Sequence, residues 1–308
     1  MLTIELVFRL LRYTELEMDK INLDSGLYIV AVSGGVDSVV LLDLLSKNMN
    51  LDLVVAHFDH GIRQESAIDA DFVTKLAKKY GLKIMLREGK LGSDVSEDKA
   101  RKARYDFLFE VLKNEKAKAI ITAHHQDDVV ETVIFNILRG TGRKGITALS
   151  NQSEILRPML EITKNEILDY AKQNKLSWVE DSTNLDTKYT RNWIRHVLLP
   201  KMGDDKKEQI IQLYRSHQPI NIEVDEAISA IIGAKQSIKK TMLLNLPYSI
   251  SCEVVAGWLR ENGLAEFDKK TIDRIVRGIR TLPAGKTIEI YGKNQVRLNQ
   301  EYVEIIKR

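Results

Sequence analysis

A buried strand, a glycine turn and an apolar helix follow one another without interruption between residues 27 and 45. The strand reads Leu-Tyr-Ile-Val-Ala-Val, the turn reads Ser-Gly-Gly-Val-Asp-Ser, and the helix is rich in Val and Leu. Glycines let backbone amides approach an anion closely, and the start of a helix adds partial positive charge at the same place. This order predicts an α/β fold with a phosphate-binding loop at a strand end.

Asp37 distinguishes this loop from other phosphate loops. The chain has neither G-x-x-x-x-G-K-S/T nor G-x-G-x-x-G here. A carboxylate inside an anion site makes electrostatic sense when a divalent cation such as Mg²⁺ bridges it to phosphate. The alternative is an ordinary Gly-Gly turn in which Asp37 and Ser38 cap the helix. The expected phosphate-binding residues are Ser33, Gly34, Gly35, Val36, Asp37 and Ser38.

Short β-rich runs alternate with helical patterns over the first part of the chain, at 28–32, 53–58, 83–86 and 119–123. This alternation predicts a doubly wound parallel sheet with helices on both faces. Ligands of such sheets bind at the carboxyl ends of the strands. Motifs follow the first, second and fourth runs, so we expect them to meet at one edge.

The length of 308 residues and the 44% hydrophobic content allow a large core and a second, smaller one. We predict a catalytic domain at 1–204, a connecting helix or linker at 205–222, and a C-terminal α+β domain at 223–308 with strands near 287–291, 295–298 and 302–306. No apolar run approaches the ~18 residues that a membrane span needs. Acidic residues among the first twenty argue against a secretory signal. We therefore expect a cytoplasmic protein that makes no membrane contact.

Positive charge is concentrated near the C-terminus, although the whole chain carries a formal net charge of only +3. Residues 221–308 contain 14 Lys and Arg against 11 Asp and Glu, whereas residues 1–220 contain 32 of each. Eight of those basic residues lie within 269–297. A phosphate backbone is a suitable partner for such a stretch. A solvated helix face without any partner is the plainer interpretation.

A second motif, Ala-His-His-Gln-Asp-Asp-Val-Val-Glu-Thr, occupies residues 123–132. If a helix begins near Asp127, the side chains of Asp128 and Glu131 share one face. These acids are candidates to hold Mg²⁺ together with Asp37 and to accept a proton from an amine. Helix capping and a zinc hydrolase site are the alternatives. Oxygen ligands beside a phosphate loop favour magnesium over zinc.

Basic side chains follow the second run and lie on a helix near residue 103. His57, His60 and Arg63 suit a nucleotide base, ribose or phosphate, and we expect His57 and Arg63 to contact the nucleotide. Arg101 and Arg104 are neighbours on a helix surface, and Arg104 is a candidate to neutralise charge that develops on a phosphate. Solvated arginines are the alternative. The basic turn at 138–145 suits a flexible lid, and residues 181–184 and 191–196 suit a hinge between domains.

Taken together, these motifs are more specific for a protein family than any one of them is alone. In order they read S-G-G-x-D-S, H-x-x-H-x-x-R, A-R-x-x-R-Y, A-H-H-x-D-D-x-x-E-T, R-G-T-G and R-N-x-I-R. This series resembles the tRNA(Ile)-lysidine synthetase family, bacterial members of the ATP pyrophosphatase (PP-loop) group, over about residues 29–200. The sequence departs from that pattern at Asp59, where relatives often have Asn, and at Ala148, where a second glycine is usual.

The resemblance implies an ATP- and magnesium-dependent ligase. ATP would adenylate the C2 oxygen of the wobble cytidine of an isoleucine tRNA with a CAU anticodon, and free lysine would then displace AMP. Asp37, Arg104, Asp128 and Glu131 would be catalytic. A homodimer is one option for the oligomeric state. The contacts of Arg101, Arg139, Arg143, Arg191 and Arg195 are left open, with ATP, tRNA and a domain interface as the choices.

Related chemistries are less consistent with the residues. A tRNA sulfurtransferase normally needs several cysteines or a cluster, and Cys252 is the only cysteine. An amidotransferase that uses ammonia would need a glutaminase partner, and no nucleophile motif for one is visible. A nucleotide- or RNA-binding regulator would not need the acids at positions 37, 128 and 131.

Overall fold

The computed structural model describes residues 21, 23–59, 66–89, 95, 97–179, 189–233, 236–264 and 267–307. The chain divides into two compact units. Unit 1 comprises residues 1–140 and 145–214, and unit 2 comprises residues 141–144 and 215–308.

Unit 1 is built on a five-stranded parallel sheet with the strand order β3-β2-β1-β4-β5. The strands are β1 (Gly26–Ala31), β2 (Leu51–Asp59), β3 (Lys83–Glu88), β4 (Ala119–Ile121) and β5 (Ile155–Leu156). The helices are α1 (Val36–Ser46), α2 (Ser66–Lys79), α3 (Glu97–Glu115), α4 (Gln126–Leu138), α5 (Arg143–Ile146), α6 (Lys164–Gln173) and α7 (Thr190–Trp193). Of these, α5 has its first two residues in unit 2. The prediction of a doubly wound parallel sheet is confirmed.

Alternate residues of β1 pack on opposite faces of the sheet. Tyr28 and Val30 join a core formed with α1, α2 and α6, whereas Ile29 joins a separate core formed with α3. Because side chains alternate along a strand, a run that is apolar at every position must be covered on both faces. The apolar strand in the sequence therefore lies at the centre of the sheet.

A third apolar cluster holds α4 in place. Val129 and Val133 pack with Ile194, which begins a π-helical turn at Ile194–Leu198. A short 3₁₀ turn at Leu199–Lys201 follows, and α8 (Asp204–Ile232) then begins. Ile211 and Tyr214 of α8 complete the cluster. This packing fixes the helix that carries Asp128 and Glu131 against the residues that follow α7.

Unit 2 contains a four-stranded antiparallel sheet with the strand order β6-β9-β8-β7. Its strands are β6 (Ser237–Lys239), β7 (Thr287–Tyr291), β8 (Asn294–Leu298) and β9 (Tyr302–Ile306), and its helices are α9 (Lys240–Asn245), α10 (Tyr248–Glu261) and α11 (Lys269–Thr281). Trp258 is fully buried in the core between the helices and the sheet. The smaller α+β unit and its three C-terminal strands agree with the sequence prediction.

The structure adds three features to the sequence prediction. The short strand β5 and the edge strand β6 were not predicted, and the connecting helix is longer than expected. Helix α8 runs from Asp204 to Ile232 with Pro219 inside it, so the predicted boundaries at 204/205 and 222/223 fall at its start and within it. Within the described part of the chain, no helix is both long and apolar enough to cross a membrane.

Candidate functional site

The loop between β1 and α1 is organised by one buried hydroxyl. Ser38 Oγ accepts hydrogen bonds from the backbone amides of Ser33 and Gly34, each at 3.2 Å, and donates to the carbonyl of Gly35 at 2.9 Å. The Ser33 hydroxyl lies 3.2 Å from Ser38 Oγ. Ser38 therefore fixes the shape of the loop from inside. The first turn of α1, from Val36, presents the amides that a helix start leaves without intrahelical partners.

Gly34 is required by the backbone conformation of this loop. Its φ of +99° lies in the left-handed region, where a side chain would be strained. Its carbonyl accepts a hydrogen bond from the amide of Val179 at 3.0 Å. The loop is therefore held both locally and by a distant segment of unit 1.

Asp37 lies in the first turn of α1 and has two neighbours from other parts of unit 1. The ammonium of Lys164, the first residue of α6, forms an ion pair with the Asp37 carboxylate. His125 Nε2 lies 3.8 Å from Asp37 Oδ2. The segments that follow β1 and β4 thus meet at the glycine loop, and the first residue of α6 joins them there.

The start of α4 is a capping box. The backbone amide of His125 donates to Asp128 Oδ2 at 2.9 Å, and His125 Nδ1 accepts from the amide of Asp127 at 3.3 Å. Because Nδ1 is an acceptor, the proton of neutral His125 is on Nε2, which lies 3.5 Å from Asp128 Oδ2. The same imidazole nitrogen therefore faces both Asp37 and Asp128.

Glu131 lies one turn further along α4 and is buried. Arg195 Nε donates to Glu131 Oε2 at 2.7 Å, and Arg195 Nη2 donates to Asp128 Oδ1 at 3.1 Å. Arg191 Nε forms a second ion pair with Glu131 Oε1 at 3.1 Å. Arg195 thus joins the two carboxylates of α4 within unit 1, and Arg191 pairs with Glu131 alone. The hinge role expected of residues 191–196 stays a prediction.

The two carboxylates of α4 have pKa values shifted in opposite directions. Burial opposes ionisation of Asp128, but His125, His124, a backbone amide and Arg195 outweigh it and hold the pKa of Asp128 below its ordinary value. Burial dominates at Glu131 and raises its pKa, despite the opposing effect of Arg195. Asp128 therefore keeps its negative charge more readily, whereas Glu131 binds a proton more strongly and is the stronger base.

Three arginines act electrostatically on His124, which follows β4. Burial, together with Arg157, Arg101 and Arg104, lowers the pKa of His124 to about 3, while Asp128 acts in the opposite direction. His124 Nδ1 lies 2.8 Å from the Thr122 hydroxyl. The imidazole is therefore neutral at physiological pH.

One ring nitrogen of His57 has a hydrogen-bond partner, and the other has none among the described residues. Nδ1 donates to the carbonyl of Val32 at 2.8 Å, and the ring is buried. Nε2 has no hydrogen-bond partner among the residues that the structure describes. The Nδ1 contact ties the end of β2 to the end of β1. Arg63 and His60, predicted to act with His57, lie outside the described residues, as do residues 181–184.

The donor set fits magnesium only together with a phosphate ligand. No cluster of three His, Cys, Asp or Glu side chains suitable for a metal occurs within the described ranges. Asp37 and Asp128 nevertheless converge on His125 Nε2. Magnesium is commonly held by one or two carboxylates, substrate phosphates and water. These two acids at a phosphate loop have the chemistry for such a site.

The remaining arginines have different environments. The guanidinium of Arg139 lies over the Phe135 ring, 5.2 Å from its centroid. In unit 2, Arg143 donates to Asp225 at 2.7 Å and to Glu253 at 3.1 Å, and Lys144 pairs with Asp225 at 2.7 Å. Carboxylates thus anchor these two side chains, and the lid role expected of residues 138–145 stays a prediction.

Sequence reasoning missed two basic residues of this site. Lys164 contacts Asp37, and Arg157 is one of the arginines near His124. Lys164 follows Thr163, which caps α6. Its position at a helix start could therefore be predicted from the sequence, but its contact with Asp37 could not. Arg157 directly follows β5, a strand of two residues without a recognisable pattern.

Comparison with known proteins gives three findings. The model of the PP-loop domain family matches residues 11–202. A tRNA(Ile)-lysidine synthase from Thermosipho africanus is 42% identical over 182 residues, which cover 56% of this chain and 43% of the relative. One from Thermotoga maritima is 38% identical over 186 residues, which cover 57% of this chain and 45% of the relative.

Among solved structures, the U34-tRNA thiolase NcsA from Methanococcus maripaludis superposes with a TM-score of 0.55 at 16% identity, over 70% of this chain and 79% of the thiolase. At this identity the similarity concerns the fold alone. The matched segments span less than half the length of the two curated relatives.

Proposed function

The chain belongs to the PP-loop domain family, and we propose that it is an ATP-dependent ligase that attaches lysine to a tRNA. The proposed substrate is an isoleucine tRNA with a CAU anticodon. The wobble cytidine is adenylated on its C2 oxygen, with release of pyrophosphate. The ε-amine of free lysine then attacks C2, and AMP leaves. The names of the relatives support this proposal.

One observation in unit 1 supports the proposal most directly. The carboxylates of Asp37 and Asp128, from two different strand ends, both approach His125 Nε2 beside a loop that suits phosphate. In this proposal Ser33, Gly34, Gly35, Val36 and Ser38 form the ATP phosphate site, and His57 and Arg63 contact the nucleotide. Mg²⁺ held by Asp37 and Asp128 would offset phosphate charge. Arg104 stabilises the charge that develops on the α-phosphate.

Lysine must lose a proton before it can attack. An ammonium with an ordinary pKa near ~10.4 is almost wholly protonated at neutral pH. Glu131, whose pKa is raised by burial, is the stronger candidate base, and Asp128 is the stronger candidate to bind the ammonium. The structure thus supports a division of roles that the sequence left open between the two acids.

Unit 2 is the proposed tRNA-binding unit. Helix α11 exposes Lys269, Lys270 and Arg277, and a depression of about 480 Å³ is lined by residues of this helix. Arg280, by contrast, donates to the carbonyl of Leu246 at 2.8 Å and has a structural role. Binding energy from a large RNA can position the reacting cytidine. A cytoplasmic location and a homodimer remain predictions.

Sulfur transfer is the main rival function. Cys252 is the only cysteine of these 308 residues, and burial raises the pKa of its thiol, which makes it a weak nucleophile. Lysine ligation needs no cysteine, so the residues favour it.

Pyrophosphate release tests the proposed reaction class. We expect the protein to release pyrophosphate from ATP only when the isoleucine tRNA is present. Asp37→Asn should reduce that release at least ~100-fold, because the carboxylate beside the phosphates is lost, while tRNA affinity stays unchanged. Release at the wild-type rate by Asp37→Asn would contradict the assigned role of Asp37.

A further inference from the structure

The side chain of Arg143 is held by three residues of unit 2. Its Nη2 donates to Asp225 Oδ1 at 2.7 Å, and its Nε donates to Glu253 Oε2 at 3.1 Å. Its Nη1 donates to Asn221 Oδ1 at 2.7 Å. The side chain is only 14% exposed, so these bonds are largely shielded from solvent. Every nitrogen of the guanidinium thus has an acceptor on helix α8 or helix α10.

Arg143 lies in a segment that leaves unit 1 for four residues. Residues 141–144 belong to unit 2, whereas residues 140 and 145 on either side of them belong to unit 1. The Asn136 side chain, on α4, donates to the carbonyl of Gly145 at 2.7 Å. Helix α5 is therefore bound to unit 2 through its first residue and to α4 through its third.

Helix α8 is bound to the other end of α4. Its first turn lies in unit 1, where Lys207 Nζ pairs with Asp127 Oδ1 at 3.3 Å, beside the capping box of α4. The same helix continues into unit 2, where Asp225 accepts the hydrogen bond from Arg143. Two chains of contacts thus lead from Asp225 to α4. One runs along α8 to the start of α4, and the other runs through Arg143 and α5 to its end.

The end of α4 matters because this helix carries Asp128 and Glu131. At a rise of ~1.5 Å per residue, Glu131 lies about 10 Å along the helix axis from Leu138, its last residue. A rigid secondary-structure element can carry a shift at one end to the groups along it. A misplacement of about 1 Å in an active site can cost ~100-fold in rate. The way in which α5 is held therefore bears on the positions of both acids.

We propose that Arg143 is a positioning residue that couples unit 2 to the acids of α4. This inference rests on the proposed function. A tRNA held by unit 2 acts on α8 and α10, and Arg143 transmits that effect through α5 to α4, so that Asp128 and Glu131 take up their working positions when the RNA is bound. Arginine suits this role because its planar fork bonds several acceptors at fixed angles, which lysine cannot do.

Arg143→Met tests the proposal by separating tRNA binding from turnover. The variant loses the hydrogen bonds to Asp225, Glu253 and Asn221 but keeps an apolar side chain. We expect kcat for pyrophosphate release at saturating isoleucine tRNA to fall at least ~10-fold, because α4 is no longer held in place. The Kd for the tRNA, measured without ATP, should keep its wild-type value. A residue with a merely structural role would not divide kcat from Kd in this way.

Glu253→Gln is the second variant, and it decides alone if Arg143→Met does not fold. It removes the charge that Arg143 Nε meets and should lower kcat in the same direction. The double variant should be no slower than Arg143→Met, because both changes remove the same ion pair. Lys144→Gln is the matched control. Lys144 is 36% exposed and pairs with Asp225 at 2.7 Å, and an exposed ion pair contributes little, so kcat and Kd should not change.

Three results would overturn the positioning role. Wild-type kcat in folded Arg143→Met or Glu253→Gln would show that α4 does not depend on this anchor. A weaker tRNA affinity with unchanged kcat would assign Arg143 to RNA binding, and an equal loss of kcat in Lys144→Gln would show that the effect is not specific to Arg143. Failure of wild-type protein to release pyrophosphate with the tRNA would instead overturn the proposed function, and the positioning role with it.

Discussion

Lys164 forms an ion pair with Asp37, although the two residues are 127 positions apart in the chain. The lysine begins α6 and the aspartate lies in the first turn of α1, so the contact closes the glycine loop from the side of α6. Asp37 adds negative charge to a loop that is proposed to bind phosphates. Lys164 offsets that charge in unit 1 of the protein.

Removal of this ammonium should therefore weaken adenylation. We expect Lys164→Met to lower kcat/KM for ATP about 10- to 100-fold, because the carboxylate and the triphosphate then repel each other more strongly. Lys164→Arg should retain most of the activity. The measurement is the rate of tRNA-dependent pyrophosphate release at several ATP concentrations.

Lys47→Met is the control for this experiment. Lys47 pairs with Asp43 at 2.8 Å on the last turns of α1, away from the loop. Lys47→Met should change the free energy of unfolding but not kcat/KM for ATP. Unchanged kinetics in Lys164→Met would show that the ion pair is only structural.

Glu131→Gln should separate the two proposed half-reactions. The amide keeps the shape of the side chain but cannot take a proton from lysine, so lysine transfer should fall at least ~100-fold. Adenylation should persist, and can be followed as pyrophosphate release without lysine. A parallel loss of both activities, together with a lower unfolding temperature, would mean that Glu131 serves mainly to hold Arg191 and Arg195.

Local patterns predicted much of this arrangement, and long-range contacts account for what they missed. The glycine loop and the acids of α4 could be predicted from the sequence, because each lies in one short segment whose residue types indicate its chemistry. The partner of Asp37 was not, because Lys164 reaches it through the packing of α6 on the sheet. Likewise, nothing in residues 191–196 indicates that Arg195 joins Asp128 to Glu131. Helix α8 also continues through Pro219, past the predicted end of the linker at residue 222.

Stability should depend on pH through Asp43, which is buried on α1. Burial alone would raise its pKa, but hydrogen bonds from Lys47, Tyr80 and Tyr170 outweigh burial and lower it. Tyr80 donates to Asp43 at 2.6 Å and Tyr170 donates at 2.7 Å. A lowered pKa in the folded state stabilises the protein above the ordinary Asp pKa near ~3.9. This stabilisation is lost as the pH falls through the lowered value.

Urea unfolding between pH 2 and pH 7 can test this linkage. Tyr80→Phe should lower the free energy of unfolding by about 1–2 kcal/mol at pH 7, because one hydrogen bond to a charged acceptor is lost. The difference from wild type should shrink below about pH 4, as Asp43 becomes protonated first in the unfolded chain and then, at the lowered pKa, in the folded protein. A difference that is independent of pH would contradict the assignment to Asp43.

The exposed face of α11 should contribute to tRNA affinity. The double change of Lys270 and Arg277 to Glu should weaken binding and reduce the slope of log affinity against log salt by roughly 2, if each residue contacts one phosphate. Lys75→Glu, on an exposed helix of unit 1, is the control and should have no effect. Unchanged affinity and salt slope in the double variant would mean that the tRNA docks elsewhere.

The most direct test of lysine ligation uses purified protein with magnesium, ATP and labelled lysine. One reaction contains an unmodified isoleucine tRNA with a CAU anticodon, and the other contains a methionine tRNA with the same anticodon. We expect label in the isoleucine tRNA alone, with one AMP and one pyrophosphate released for each lysine incorporated. Pyrophosphate release without labelled tRNA, or equal labelling of both tRNAs, would contradict the proposed reaction.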